Sequence, residues 1–524
     1  MSSEINLPSQ FNVADYYILP NLTAEKAQRP YLLCGDEALT YRQLHEGSNQ
    51  VGNALKKLGV EPEQRVMLLM LESLSFPICF WGALRIGAVA VPVNTMLTSK
   101  DYLYFLNDSR AKVLIVDADL WPQIEPIAAE LKHQRHIVIC NGTVEGKPSL
   151  DELIAGESRE LVVEMMSPDE PAFWLYTSGS TGAPKAAVHL HHDMVYCSEF
   201  LAKQTLGLGK DDIGFSAAKF FFAYGLGNSL YFPMDTGGQA VILPERPTPE
   251  LIFETMARYR PTVFYGVPTL FNAMLITYEG WLEGKDGPDP PPKLDHLRFA
   301  VSAGEALPTE VYQRWKKHFG CEILDGIGST EMLHMFISNR LGDVRPGSTG
   351  KLVAGYEARL VDEHGADVPD GEVGALWAKG ESAAPYYWNK HEKSKTTMLG
   401  EWTVTGDQFH RDSDGYYWYH GRNDDMMKVS GSWVSPLEVE NALLSHDAVA
   451  ECAVVGQTDE AGLIKPKAFI VLKEGREESP QLAEALQRHV ADAIASFKAP
   501  QWVTFAKHLP KTATGKIRRF ELRN

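Results

Sequence analysis

The run Tyr176-Thr-Ser-Gly-Ser-Thr-Gly-Ala-Pro-Lys185 gathers hydroxyls, glycines and a lysine directly after an apolar stretch at 172–175. Backbone N–H groups and side-chain hydroxyls in such a loop can surround phosphate oxygens, with Lys185 adding a point charge. A flexible Ser/Gly surface linker is the bland alternative, but a linker requires neither the leading apolar stretch nor the closing Pro184-Lys185. The run is not a P-loop, because Lys185 follows Pro184 where a Gly-Lys pair is needed. Gly515-Lys516 also fails, with Pro510 at the leading glycine and Ile517 in place of Ser or Thr. Dinucleotide fingerprints break as well, since Leu230 and Glu331 stand where the third glycine belongs after Gly225/Gly227 and Gly326/Gly328. His189, His191 and His192 are too closely spaced for an i,i+4 zinc pair and read as strand-end and helix-start residues. No Gly-x-Ser-x-Gly elbow presents a nucleophilic serine.

The elements that must carry these residues alternate. Residues 66–71 read as a strand, 74–86 as a helix and 88–93 as a strand, which makes a parallel βαβ unit. The pattern recurs at 113–116, 122–131 and 137–140, and again at 240–243, 250–258 and 262–265. Such alternation predicts an α/β fold with helices covering the sheets. Residues 284–292, rich in Pro, Gly and Asp, should form an exposed loop. Beyond about 350 the texture changes: 356–378 holds strand-like runs broken at His364-Gly365 and Asp370-Gly371, a β-rich subdomain. After Arg422 a polar stretch leads to a compact α+β unit, with helices at 436–444 and 481–496 and strands at 448–455 and 468–472. The expected architecture is a large N-terminal domain of βα-layered sheets plus a β-rich subdomain, followed by a small mobile α+β C-terminal domain.

Fifty basic against 68 acidic residues give a net charge of -18, so any anionic ligand must be caught by local donors, and nucleic acid or an anionic membrane is not an expected partner. The longest uncharged apolar run, 73–84, is too short to span a bilayer. The N-terminus lacks a secretory signal pattern. Six scattered cysteines without a C-x-x-C pair fit a thiol-reduced, cytoplasmic protein.

With YTSGSTGAPK from Tyr176, DGIGSTE from Asp325, TGD from Thr405, GRNDDMMKVSG from Gly421 and PKTATGK from Pro510 standing in order, the whole chain resembles the adenylate-forming superfamily of acyl-CoA synthetases, peptide-synthetase adenylation domains and luciferases. The resemblance implies an ATP site. Thr177, Ser178, Gly179, Ser180, Thr181, Gly182 and Lys185 would hold the β- and γ-phosphates. Asp325, Gly326, Ile327 and Gly328 would line the adenine, Thr330 would contact the α-phosphate, and Glu331 would help hold Mg²⁺. Asp407 would accept hydrogen bonds from the ribose hydroxyls, supported by Arg422. Lys516 would bridge the substrate carboxylate and the α-phosphate. Asp424 would be the hinge, dividing 1–423 from 424–524, and Gly431 would line the coenzyme A path. The basic tail around Lys516 also makes a protein lysine acetyltransferase and its deacetylase candidate partners, because acylation removes the charge.

In the superfamily the acyl pocket begins at a gate aromatic, matched here by Phe222, so Ala223 and Tyr224 should face the substrate. Amino-acid-activating members place an aspartate near this point to pair the α-ammonium. No carboxylate stands in 220–226, which makes an amino acid a poor substrate. Ala303, Gly304, Ile327, Gly328, Leu333 and His334 complete a pocket suited to a flat ring. KFFFAYGLGN, SAGEALP and DGIGSTEMLH resemble the benzoate-CoA ligases of aromatic degradation. The resemblance therefore implies an ATP-, Mg²⁺- and coenzyme A-dependent ligase for a small aromatic carboxylate. Other small acids or hydroxybenzoates, a carrier-protein-loading adenylation enzyme, a luciferase-type oxygenase and a silent nucleotide-binding scaffold are the rival readings. Intact Lys185, Glu331, Asp407 and Lys516 speak against the scaffold.

Overall fold

The computed structural model describes residues 5–177, 184–422, 425–429, 432–459, 463–511 and 517–523. Apolar β-branched runs too short to be helices form two mainly parallel sheets. One has six strands in the order His136–Cys140, Val113–Asp117, Arg65–Leu69, Val89–Pro92, Pro171–Thr177 and Lys185–Leu190. Only the last pair is antiparallel. The other has nine strands, with Glu322–Gly328, Phe299–Ser302, Val263–Gly266, Ile213–Ser216, Gln239–Val241 and Pro30–Cys34 running parallel at its centre. Antiparallel strands close both edges. Parallel strands need both faces covered. Helices such as Ser75–Arg85 and Thr309–Phe319 supply that cover, and wholly buried Trp81 and Trp315 anchor them.

The β-rich region is an antiparallel sheet of Glu357–Val361, Gly374–Lys379, Trp402–Arg411, Met398–Leu399 and Tyr417–Arg422. The C-terminal domain packs Pro436–Leu444 and Pro480–Ala493 on a sheet of Val449–Thr458, Ile464–Leu472 and Trp502–Phe505. Its core, from Met427 to Val490, is separate from those of the large N-terminal domain. The α/β class with a large and a small domain is as the sequence predicts.

Two local differences have physical causes. The single helix expected over 122–131 is split into Trp121–Ile124 and a tighter 3₁₀ stretch, Glu125–Glu130, because Pro126 has no N–H to continue the α ladder. The helix expected over 481–496 stops at Ala493, where Ile494 turns extended. No described helix is long and apolar enough to cross a membrane.

Candidate active site

The strands flanking the expected phosphate loop, Pro171–Thr177 and Lys185–Leu190, pair antiparallel with Thr177 opposite Lys185. Ser178, Gly179, Ser180, Thr181 and Gly182 lie outside the described residues. The hairpin is tethered from a neighbouring helix, Ser99–Ser109. The Tyr176 hydroxyl donates to Asp108 at 2.9 Å, and the Tyr104 hydroxyl donates to the Pro184 carbonyl at 3.0 Å. Along its outer edge runs the segment 386–388, with Val188 N–H donating to the Tyr386 carbonyl at 3.1 Å and Trp388 N–H to the Ala186 carbonyl at 2.9 Å.

That pairing brings Tyr387 to Lys185, whose ammonium lies 4.4 Å from the centre of the tyrosine ring. The Tyr387 hydroxyl donates in turn to Glu331 at 2.5 Å. Burial pushes the Lys185 pKa down, and the Glu331 carboxylate pulls it back up. Burial, then the Glu331 charge, raises the Tyr387 phenol, which keeps it a donor. Thr330 and Glu331 stand in a tight turn where Leu333 N–H donates to the Thr330 carbonyl at 3.2 Å. Ala384 N–H holds the Glu331 carbonyl at 2.7 Å, and the Ser382 hydroxyl holds the Met332 carbonyl at 2.8 Å. Among the described residues no group of three or more His, Cys, Asp or Glu side chains gathers to cage a metal. One carboxylate, Glu331, beside the lysine expected to meet phosphate suits Mg²⁺, which takes one or two carboxylates and completes its shell with phosphate oxygens and water.

Asp407 and Arg422 face each other across paired strands, 3.4 Å between charged atoms. Gly406, at φ 79°, sits in a bulge of the strand just before Asp407, and a Cβ there would meet the Arg422 guanidinium at 3.0 Å. These residues line a cleft of about 700 Å³ with Gly304, Glu305 and the strand residues Asp325, Gly326, Ile327 and Gly328. Burial pushes the Asp325 carboxyl up to about 8. The opposite wall comes from the C-terminal domain, through Leu437, Glu440, Ile517 and Arg519. Ile517 N–H donates to Glu305 at 3.3 Å, and Asn272 donates to the Ala450 carbonyl at 3.3 Å. A buried bidentate pair, Arg519 with Glu440 at 2.8 and 2.9 Å, fixes the tail. Lys516, next to Ile517, lies outside the described residues, as do Asp424 and Gly431.

Of the ring-pocket candidates, Gly304, Ile327 and Gly328 line the cleft, and the others do not. Ala223, Tyr224 and Ile327 pack half-buried on the main core. The Tyr224 and His334 rings are 5.5 Å apart. Phe222 is half-buried at the head of a short helix, Ala223–Leu226, which widens into a π-helical turn at Gly227–Tyr231. A Cβ on Gly227 would come within 2.4 Å of the His334 ring, so glycine is what lets the two meet. His334 Nδ1 accepts Met335 N–H at 2.9 Å, leaving Nε2 to donate to Asn228 at 3.2 Å. Burial pushes its pKa down to about 3, so the ring is neutral. Ala303 is buried and Gly304 opens to the cleft. Leu333 is wholly buried in the core at φ 64°.

Several functional contacts escape sequence reasoning. Tyr387 carries no motif, only the aromatic triplet Tyr386-Tyr387-Trp388. Glu72 bonds Lys219 at 3.0 Å and Phe220 N–H at 3.1 Å, strapping the segment before Phe222; its one signal is an acid inside an apolar stretch. The three close histidines do not gather on one ligand, although His189 and His192 both meet Asp193, at 2.7 and 3.2 Å. His191 accepts Val13 N–H, His192 meets the Pro168 carbonyl, and His189 joins Asp193 to Thr330.

The model of the AMP-binding enzyme family matches residues 21–388, and that of the AMP-binding enzyme C-terminal domain matches 438–516. The chain belongs to the AMP-binding enzyme family. It is an AMP-forming acid–thiol ligase that uses ATP, Mg²⁺ and coenzyme A. It is 47% identical over 522 residues, 99% of this chain and 97% of the relative, to a benzoate–CoA ligase of Thauera aromatica. It is 42% identical to a 4-hydroxybenzoate–CoA/benzoate–CoA ligase of Rhodopseudomonas palustris, covering 98% and 94% of the two chains. Among solved structures, the anthranilate CoA ligase AuaEII in complex with anthranoyl-AMP superposes with a TM-score of 0.93 at 42% identity, covering 100% of this chain and 98% of that one. A benzoate CoA ligase from Burkholderia xenovorans gives 0.90 at 45%, covering 98% and 100%.

Proposed function

We propose that this chain converts benzoate, ATP and coenzyme A into benzoyl-CoA, AMP and pyrophosphate. A benzoate oxygen attacks the α-phosphorus, the bond to the β-phosphate oxygen breaks, and pyrophosphate leaves a benzoyl-AMP anhydride. The coenzyme A thiolate then attacks the carbonyl carbon and AMP departs. In this reading the 177–185 hairpin and Lys185 hold the outer phosphates, Thr330 the α-phosphate, and Asp407 with Arg422 the ribose. Mg²⁺, when bound, neutralises phosphate charge, with Glu331 as its protein ligand. Lys516 steadies the carboxylate as it approaches the α-phosphate. Asp424 is the hinge between 1–423 and 424–524, and Gly431 lies on the thiol's path. The protein works in the cytoplasm, and acetylation of Lys516 by a lysine acetyltransferase, undone by a deacetylase, switches adenylation off.

The observation that carries the choice of acid is the state of the two polar side chains in the ring pocket. Tyr224 donates its hydroxyl to the Val301 carbonyl at 3.0 Å, and His334 donates to Asn228. Both donors are spent, so the pocket favours an unsubstituted ring over one whose hydroxyl needs a partner. A pyrophosphate-release screen tests this. Benzoate and monofluorobenzoates should lead, 4-hydroxybenzoate should trail, and acetate and octanoate should be nearly inert. Faster turnover of octanoate or acetate at limiting concentration would sink the aryl assignment.

A further inference from the structure

His189 lies four residues beyond Lys185 on the same strand, with no exposed surface. Its Nδ1 is 2.7 Å from Asp193 Oδ2, and Asp193 is equally buried. Its Nε2 is 2.8 Å from the carbonyl oxygen of Thr330, a residue 141 positions away in sequence. A carbonyl only accepts, so Nε2 donates to it. Leu190 N–H donates to the same Asp193 oxygen at 3.1 Å, and Phe173 stacks on the imidazole at 5.1 Å between ring centres. A strand position of this kind would be filled at less desolvation cost by valine, so a buried polar pair here calls for a reason beyond stability.

We propose that His189 and Asp193 are a positioning pair that sets the direction of the Thr330 peptide and so aims Thr330 and Glu331 at the nucleotide phosphates. Asp193 orients the ring, the ring holds the Thr330 carbonyl, and that carbonyl also closes the turn through Leu333 N–H. The strand that begins at Lys185 and the turn that carries Glu331 are thereby held in register by one side chain. The inference rests on the assignment of Thr330 and Glu331 to the phosphates made above.

Two isosteric variants separate positioning from mere support. The amide of His189→Gln reaches where Nε2 stood and keeps the Thr330 bond, but takes from Asp193 the ring that met it at 2.7 Å, leaving it Leu190 N–H and the His192 ring. The amide of His189→Asn reaches where Nδ1 stood, keeps Asp193 satisfied and drops the Thr330 bond. Thermal unfolding should therefore rank His189→Asn the more stable. Calorimetric titration with α,β-methylene-ATP and Mg²⁺ should rank them the other way, with His189→Asn binding about tenfold more weakly than the unaltered protein and His189→Gln within about threefold. Affinity that falls in step with stability, or a His189→Asn variant of unaltered affinity, overturns the proposal. If His189→Gln does not fold, His189→Asn decides alone. Glu331→Gln distinguishes the two levels. Unaltered analogue binding by Glu331→Gln removes the phosphate assignment itself, whereas weak binding there with normal binding by His189→Asn removes only the positioning pair.

Discussion

Tyr387 hands its hydroxyl to Glu331 while offering the face of its ring to Lys185, so a single side chain spaces a carboxylate from an ammonium without letting them pair directly.

Replacing Tyr387 with phenylalanine keeps the ring under Lys185 and frees Glu331. The loss of one hydrogen bond to a charged group should weaken MgATP use by about tenfold. Alanine, which removes the ring as well, should cost more. Initial rates of pyrophosphate release against MgATP concentration measure both, and equal losses in the two variants would mean that the ring face does nothing.

Asp407→Ala removes the carboxylate assigned to the ribose and leaves Arg422 without the partner that faces it across the strands. Nucleotide affinity should fall by roughly 10–100-fold, the range of one or two charge-assisted bonds, while KM for benzoate moves little. Parallel loss for acid and nucleotide would point to local unfolding instead.

Lys516→Ala should slow formation of benzoyl-AMP by at least roughly 10²–10³-fold, the usual effect of removing one donor to a transition-state charge. Transfer from supplied benzoyl-AMP to coenzyme A should persist. Loss of both half-reactions together would make Lys516 structural.

If Ala223 faces the ring as proposed, Ala223→Phe overfills that site while leaving the strands beside Lys185 alone, so KM for benzoate should rise far more than KM for ATP. A rise confined to ATP would remove Ala223 from the pocket.

Acid should destabilise the protein through its buried histidines. His334 and His191 have pKa values pushed down by burial, from 6.5 to about 3 and about 4. Below 6.5 the unfolded chain binds protons that the folded rings refuse, so stability present above that pH is lost as pH falls toward the folded values. Each ring contributes up to about 1.4 kcal/mol per pH unit in that window. The buried Asp325 carboxyl, pushed up to about 8, works in the opposite sense over the same range, so the histidine contribution is read as a difference: between pH 7.5 and 5 the urea midpoint of His334→Gln, which can still donate to Asn228, should lose less than that of the unaltered protein. Coincident slopes would show that His334 is not held neutral.

Local pattern carried a good part of this fold. Pro436–Leu444 forms a helix over the very residues its sequence predicts, with proline in its first turn, and the 172–175 run becomes the strand that feeds the phosphate hairpin. Pro126 shows the limit within one element, since periodicity alone ran through it. The site divides the same way. Lys185, Glu331, Asp407 and Arg422 sit in the short runs that carry the family resemblance, and the roles expected of them come from that resemblance. Tyr387, His189 and Glu72 act through partners 56, 141 and 147 residues distant. Nothing in their neighbours' identities encodes such a contact, because it exists only once separate strands are laid side by side.

The cleft's two walls belong to different domains, joined among the described residues by Asn272 to Ala450, Ile517 to Glu305 and Lys285 to Glu474. A catalytic cycle that swings the C-terminal domain must break all three and drag a hundred-residue body through water each time. Solvent friction then enters the rate law: thickening the medium with sucrose slows such a swing in proportion to viscosity, yet leaves a purely chemical step untouched.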